Sequence, residues 1–170
     1  MDELSRGIKI SMKIEGLEEL RKALRLLPEE LQKKALGDAV AKGASVIRDE
    51  AKRLAPVLKT PDERRTRGLL KRMIRSTRGK RNGSEAAAFV KVRRLVGKAL
   101  GKAKAKTKKS GAELDPFYWA FIEFGTSKRA ARPFLRPAFD TKKESAAQQI
   151  KKALAEGLAK AAAKVHGRRF

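Results

Sequence analysis

Apolar and polar positions alternate over residues 8 to 15, where Ile8, Ile10, Met12 and Ile14 are separated by Lys9, Ser11 and Lys13. A period of two sets one strand face in a core and the other in water, so this stretch predicts a first strand, broken at Gly16. The period then lengthens. Leu17, Leu20, Ala23, Leu24 and Leu27 recur at helical spacing up to Pro28, a residue suited to the first turn of a following helix and not to a helix interior. A short helix therefore abuts a long one. The second opens on Glu29 and Glu30, carries Leu36, Val40, Gly43, Ile47 and Leu54 down one side, and ends near Ala55 ahead of Pro56.

Residues 56 to 68 are rich in Thr, Pro and charge and predict a loop. Leu69, Leu70, Met73 and Ile74 fit either a helical turn or an irregular strand, whereas residues 86 to 92, with Ala88, Val90 and Val92 on one face, predict a strand. Asn82-Gly83 is a dipeptide that turns one strand back on another, so a hairpin is expected within residues 69 to 96. From 97 to about 113 the chain is Lys, Ala, Gly and Thr with little to bury, which predicts a mobile basic loop. Phe117, Tyr118, Trp119, Phe121, Ile122 and Phe124 then crowd together and close at Gly125. Pro133 and Pro137 bracket Phe134, Leu135 and Arg136, and from Pro137 a second long helix carries Phe139, Ala146, Ile150, Leu154, Leu158 and Val165, ending at Gly167. The expected architecture is α+β: a small antiparallel sheet packed against two long helices with one long basic loop, as a single domain over 1–170 with a tail from about 166.

Composition sharpens this picture mainly by exclusion. The chain has no cysteine and one histidine, His166, so disulfides, thiolate chemistry and multi-histidine metal cages are excluded. His166 is expected to be a solvated side chain near the chain end. No nucleophile stands beside a base, no glycine-rich phosphate loop is present, and Glu123 and Asp140 are too isolated for paired-carboxylate work. No enzyme activity, metal or cofactor is expected. The absence of a long apolar run, and the acids Asp2 and Glu3 at the start, predict a soluble intracellular protein without a membrane partner.

The formal net charge is +24. A charge this large attracts nucleic acid, acidic protein or anionic lipid. It is concentrated: from 64 to 109 the sole acid is Glu85, against Arg64, Arg65, Arg67, Lys71, Arg72, Arg75, Lys98, Lys102, Lys104, Lys106, Lys108 and Lys109 among others. This segment is a candidate contact for DNA phosphates or for an acidic protein surface, with plain solvation as the third reading. A free nucleic-acid-binding protein agrees with the charge, but no helix-turn-helix signature, aromatic RNA-binding stripe or zinc site accompanies it.

Three strings carry a resemblance: "IEGLEELRKALRLLPEELQKKAL", "VIRDEAKRLAP" and "YWAFIEFGTSKRAARPFLRPAFD". Together they resemble the tail-completion or head-tail joining (neck) proteins of long-tailed, non-contractile phages, the gene-product-ten-like family. In that family the third string has an aromatic, a Glu-Phe-Gly-Thr and an Ala-x-Pro-Phe-Leu-Arg-Pro-Ala, matched here by Tyr118, Glu123 to Thr126 and Ala131 to Ala138. The Thr-Gly-x-Leu that commonly follows the second string is only approximated by Thr66 to Leu70, and the Lys-rich stretch looks like an expansion. The resemblance implies a virion protein, made in the host cytoplasm, that forms a ring of six subunits, or of twelve if it belongs to the head connector. Its partners would be head connector or adaptor proteins on one side and the tail terminator or tail tube protein on the other, with genomic DNA in the channel. A tail terminator ring is the nearest alternative within the phage reading.

Residues 123 to 137 would then form the shaped joint, with Tyr118, Glu123, Phe124, Gly125, Thr126, Arg132, Pro133, Phe134, Leu135, Arg136 and Pro137 as subunit or partner contacts. The residues themselves suggest a tight turn: Gly125 can take a positive φ, so a strand ending at Phe124 could turn there, with the Thr126 or Ser127 hydroxyl capping local backbone. Arg132 and Arg136 lie at the start of a helix, where the dipole disfavours cations. They are expected to meet a carboxylate on an adjoining subunit, with an intrachain salt bridge to Glu123 or Asp140, or plain solvation, as the alternatives. Tyr118, Trp119 and Phe121 are expected in a core or a subunit interface, with base stacking as the minor alternative.

Overall fold

The structure, a computed structural model, describes residues 18–57, 66–79, 86–107 and 114–166. Among the described residues the named elements run in the order α1 (Glu18–Arg25), α2 (Glu29–Leu54), α3 (Leu69–Met73), β1 (Ile74–Arg78), β2 (Ala88–Val92), α4 (Gly97–Thr107), α5 (Trp119–Phe124) and α6 (Leu135–His166). The fold is α+β, two long helices with a small antiparallel sheet, as the periodicities predict. The expected strand over residues 8 to 15, the Asn82-Gly83 turn and the C-terminal tail beyond His166 lie outside the described residues.

The described residues fall into two compact units, and α2, α6 and both strands contribute to each. One unit holds residues 18–47, 76–79, 86–89 and 141–166. Its core is Ala35 and Ala39 of α2 against Ile150, Ala153, Leu154 and Leu158 of α6, with Leu20, Leu24 and Leu27 packed on it from α1 and the turn that follows. Small residues at the helix contact allow a close approach: a Cβ on Gly43 would overlap the Ile150 side chain and come within 3.1 Å of the Ala146 carbonyl oxygen. The larger Leu36, Val40 and Ile47, expected to lead the buried side of α2, are half-buried at its flanks. Side chains of their size do not fit where two helix backbones come this near. Lys42 of α2 pairs with Glu156 of α6 at 3.1 Å, and Arg78 at the end of β1 pairs with Asp38 of α2.

The other unit holds residues 48–57, 66–75, 90–107 and 114–140. Its buried apolar side chains are Ala51, Ala55, Leu69, Leu70, Ile74, Val92, Trp119, Phe134, Leu135 and Ala138. The hairpin expected within 69 to 96 is present. The Gly79 N–H donates to the Ala87 carbonyl at 2.8 Å and the Arg93 N–H to the Met73 carbonyl at 2.8 Å, an antiparallel register that sets Ile74 opposite Val92 and Arg75 opposite Lys91. Leu69, Leu70, Met73 and Ile74 resolve into both readings at once, one helical turn followed by a strand.

The basic segment is where periodicity misleads. Residues 97 to 107, expected as loop, form α4. Lys and Ala are strong helix formers, so an Ala-Lys stretch needs no buried face to favour the helix locally, and low apolar content alone does not argue for loop. Residues 108 to 113 lie outside the described residues.

Candidate interface at the Glu-Phe-Gly-Thr turn

Residues 114 to 138 are built around one buried carboxylate. Helix α6 begins at Leu135 with Phe134 in the cap position, so it has none of the Ser, Thr, Asp or Asn side chains that ordinarily accept the free N–H groups of a first turn. Glu123 does this instead. One carboxylate oxygen accepts from the Phe134 N–H at 2.8 Å and the Leu135 N–H at 3.0 Å, and the other accepts from the Arg136 N–H at 3.1 Å. Glu123 is 1% exposed, and its charge sits on the positive end of a helix of 32 residues. That charge also answers for the two arginines that the helix dipole disfavours: the first turn of α6 contains no acid of its own, and Glu123 supplies one.

Helix α5 carries Glu123 inward together with Trp119, one turn earlier, and both are buried. It ends at Gly125, whose φ of 78° and ψ of −175° form a conformation that side-chain-bearing residues rarely reach. The expected positive φ is present, but the element that ends there is a helix and not a strand. The aromatic run has its apolar residues at three- and four-residue spacing, the period of a helix. A Cβ on Gly125 would lie 2.9 Å from the Ala131 nitrogen and 3.1 Å from the Arg129 carbonyl oxygen, because the chain doubles back at once. Thr126 and Arg129 exchange backbone hydrogen bonds of 2.9 and 3.2 Å, and the Arg132 N–H donates to the Ile122 carbonyl at 2.8 Å. These contacts lay residues 130 to 134 back along α5 and deliver Phe134 to Glu123.

A second buried carboxylate anchors the approach to α5. Asp115 accepts from Arg94 Nη2 at 2.8 Å and Nε at 3.1 Å, and from the Leu95 N–H at 3.1 Å, tying the exit of β2 to the segment that leads into α5. Neither Asp115 nor Arg94 stood out in the sequence, since Arg94 is one of many cations in its stretch. Glu123 could have been marked by two signals read together: a lone acid within "YWAFIEF", and a long helix downstream with no capping residue of its own.

Of the expected joint residues, Phe134 and Leu135 are buried, Tyr118, Gly125 and Pro137 are half-buried, and Phe124, Thr126, Arg132, Pro133 and Arg136 are exposed. No intrachain bridge from Arg132 or Arg136 to Glu123 or Asp140 forms, because the Glu123 carboxylate is occupied by backbone donors. The Arg136 guanidinium instead lies over the Phe124 ring, 4.8 Å from its centre. The aromatic cluster divides: Trp119 is in the core, Phe121 is more than half exposed, and Phe117 and Phe124 are exposed beside it.

Arg64, Arg65, Lys108 and Lys109 of the basic segment lie outside the described residues. Arg67, Lys71, Arg72 and Arg75, with Lys98, Lys102, Lys104 and Lys106 of α4, are all exposed. Arg75 faces Lys91 directly across the hairpin, and Arg93 lies on the same strand face as Lys91. Like charges opposite one another on a ladder are destabilising, so this face is built at some cost to the hairpin. Among the described residues no group of His, Cys, Asp and Glu is placed to hold a metal ion, and no helix is long and apolar enough to cross a membrane.

No curated protein and no solved structure matches the chain. A family model does, over residues 18–125, and its description reads "Bacteriophage HK97-gp10, putative tail-component". The matched span runs from α1 through the whole of α5 and stops at Gly125, so it includes Glu123 but not the helix start that Glu123 caps. With well over half of its length inside that match, the chain belongs to the HK97-gp10-like family of phage tail components.

Proposed function

We propose that this chain completes the phage tail and joins it to the head connector, as one subunit of a closed ring in the neck, and that it works by binding alone. Family membership carries this reading, and three features support it. Residues 123 to 137 are held together by contacts within the chain, through the Glu123 cap, the Gly125 turn and the Arg132 backbone bond. The exposed phenylalanines offer an apolar contact surface. The exposed cations of the hairpin and of α4 would repeat around a ring, and any that faced the channel would meet DNA phosphates.

The resemblance implies six subunits in the proposed ring, or twelve if it belongs to the head connector. Heads and tails prepared separately from a phage lacking the gene, mixed with purified protein, are the test. Particles of full virion mass forming only when the protein is added is the expected outcome. Unaltered joining in its absence, or tails of uncontrolled length, would contradict the reading, the latter in favour of a tail terminator. Adding duplex DNA at rising salt separates the role of the basic face: binding at low salt that weakens as salt rises supports phosphate contact, and no binding at low salt removes it.

A further inference from the structure

Three phenylalanines stand on one side of α5 and the turn before it. Phe117, Phe121 and Phe124 are spaced four and three apart, which puts them on a single helical face, and they are 43%, 54% and 44% exposed. The opposite face, with Trp119 and Glu123, goes into the core. The outward rings are ordered as a platform: Phe117 meets Tyr118 edge-on at 5.7 Å, Phe124 lies 6.5 Å from the Trp119 ring, and Arg136 covers part of Phe124. Exposing three phenylalanines together forgoes the favourable transfer of their rings out of water. A surface of this kind marks a binding site.

The charge around it identifies the occupant. From 117 to 136 the chain holds four cations, Lys128, Arg129, Arg132 and Arg136, all exposed, and a single acid, Glu123, which is buried and committed to backbone donors. Among the described residues none of the four cations pairs with a carboxylate. Arg136 sets one of these cations over the Phe124 ring, so the platform is apolar at its centre with a cation at its rim. A second copy of this chain would bring the same rim and a further net charge of +24. Duplex DNA would satisfy the rim but has little apolar surface to offer three phenyl rings. A protein segment with an apolar side chain between carboxylates satisfies both parts at once.

We propose that the Phe117, Phe121 and Phe124 face docks an acidic, apolar segment of a different virion protein, an inference that rests on the neck reading above and names the chemistry of one partner. Its test places the photoreactive p-benzoylphenylalanine at position 121, in virions assembled with the variant chain, and identifies the cross-linked peptide by mass spectrometry. The expected product joins position 121 to another virion protein at a segment where carboxylates flank an apolar residue. A cross-link to a second copy of this chain, to DNA, or to a segment without acids would overturn the proposal, as would no cross-link in virions that contain the chain. Two further variants read the charge directly and do not depend on the cross-linker. Phe121→Glu is expected to lower incorporation into virions at least tenfold, and Phe121→Lys no more than threefold, with circular dichroism confirming that both fold. Equal losses, or the reverse order, would overturn it. Absence of the wild-type chain from virions by immunoblot would instead sink the neck reading itself.

Discussion

Removing the Glu123 carboxylate should unfold the start of α6, and the size of the effect can be worked from its contacts. In Glu123→Ala the Phe134 and Leu135 N–H groups lose their acceptor in a buried setting, and the Arg136 N–H loses one where water can replace it. A buried donor left without a partner costs about 1 to 3 kcal/mol, so two of them cost about 2 to 6 kcal/mol. Loss of a negative charge at the helix N-terminus adds about 0.5 to 1 kcal/mol, and the cavity left by the side chain adds more. The expected destabilisation is about 3 to 5 kcal/mol for Glu123→Ala. It should be about half that for Glu123→Gln, which keeps an oxygen for the Phe134 and Leu135 donors but turns an amide N–H₂ toward the Arg136 N–H. The assay is built in: Trp119 is the chain's single tryptophan, is buried, and sits one turn before Glu123, so urea unfolding followed by its fluorescence reports on this unit. A loss below about 1 kcal/mol for Glu123→Ala would refute the reasoning, since an alternative acceptor would then have to exist.

Other consequences are independent of that carboxylate. Gly125→Ala should cost about 2 to 4 kcal/mol in the same fluorescence assay, because backbone strain at a glycine-only conformation adds to contacts of 2.9 and 3.1 Å with backbone atoms that cannot step aside. Gly43→Ala should lower stability by about 1 to 2 kcal/mol, measured by circular dichroism. Overpacking against Ile150 outweighs the gain in helix propensity, and pairing it with Ile150→Val should recover part of the loss. The hydrogen bond from Lys42 holds the Glu156 carboxyl below its ordinary range, so its contribution is present at neutral pH and is lost as the pH falls through that depressed value. Thermal melts of wild type and Lys42→Met should accordingly differ at pH 7 and converge in strong acid; a constant gap across the range would contradict this.

What was legible in the sequence followed the strength of each local signal. Pro28 and Pro56 bracket α2 because proline is excluded from helix interiors, and the hairpin followed from period-two alternation in residues 86 to 92. Two features were misread for physical reasons. Helix α4 has no apolar stripe, so its helicity rests on the propensity of Ala and Lys, to which periodicity is blind. The run from Phe117 to Phe124 has rings on both sides of a helix, one set buried and one exposed, and a pattern apolar all round does not disclose which set faces inward. The tight turn expected at Glu-Phe-Gly-Thr is present, with Gly125 at a positive φ, although a helix and not a strand ends there. The role of its glutamate needed the fold, because the donors it serves lie 11 to 13 residues away in the chain.

The central claim, that this tail component joins tail to head by binding alone, is tested most directly by electron microscopy of lysates from a phage lacking the gene. The account predicts filled heads and tails of normal length, unjoined, with whole virions restored when the purified protein is added. Whole virions in the mutant lysate, or tails of irregular length that the added protein does not join to heads, would contradict it.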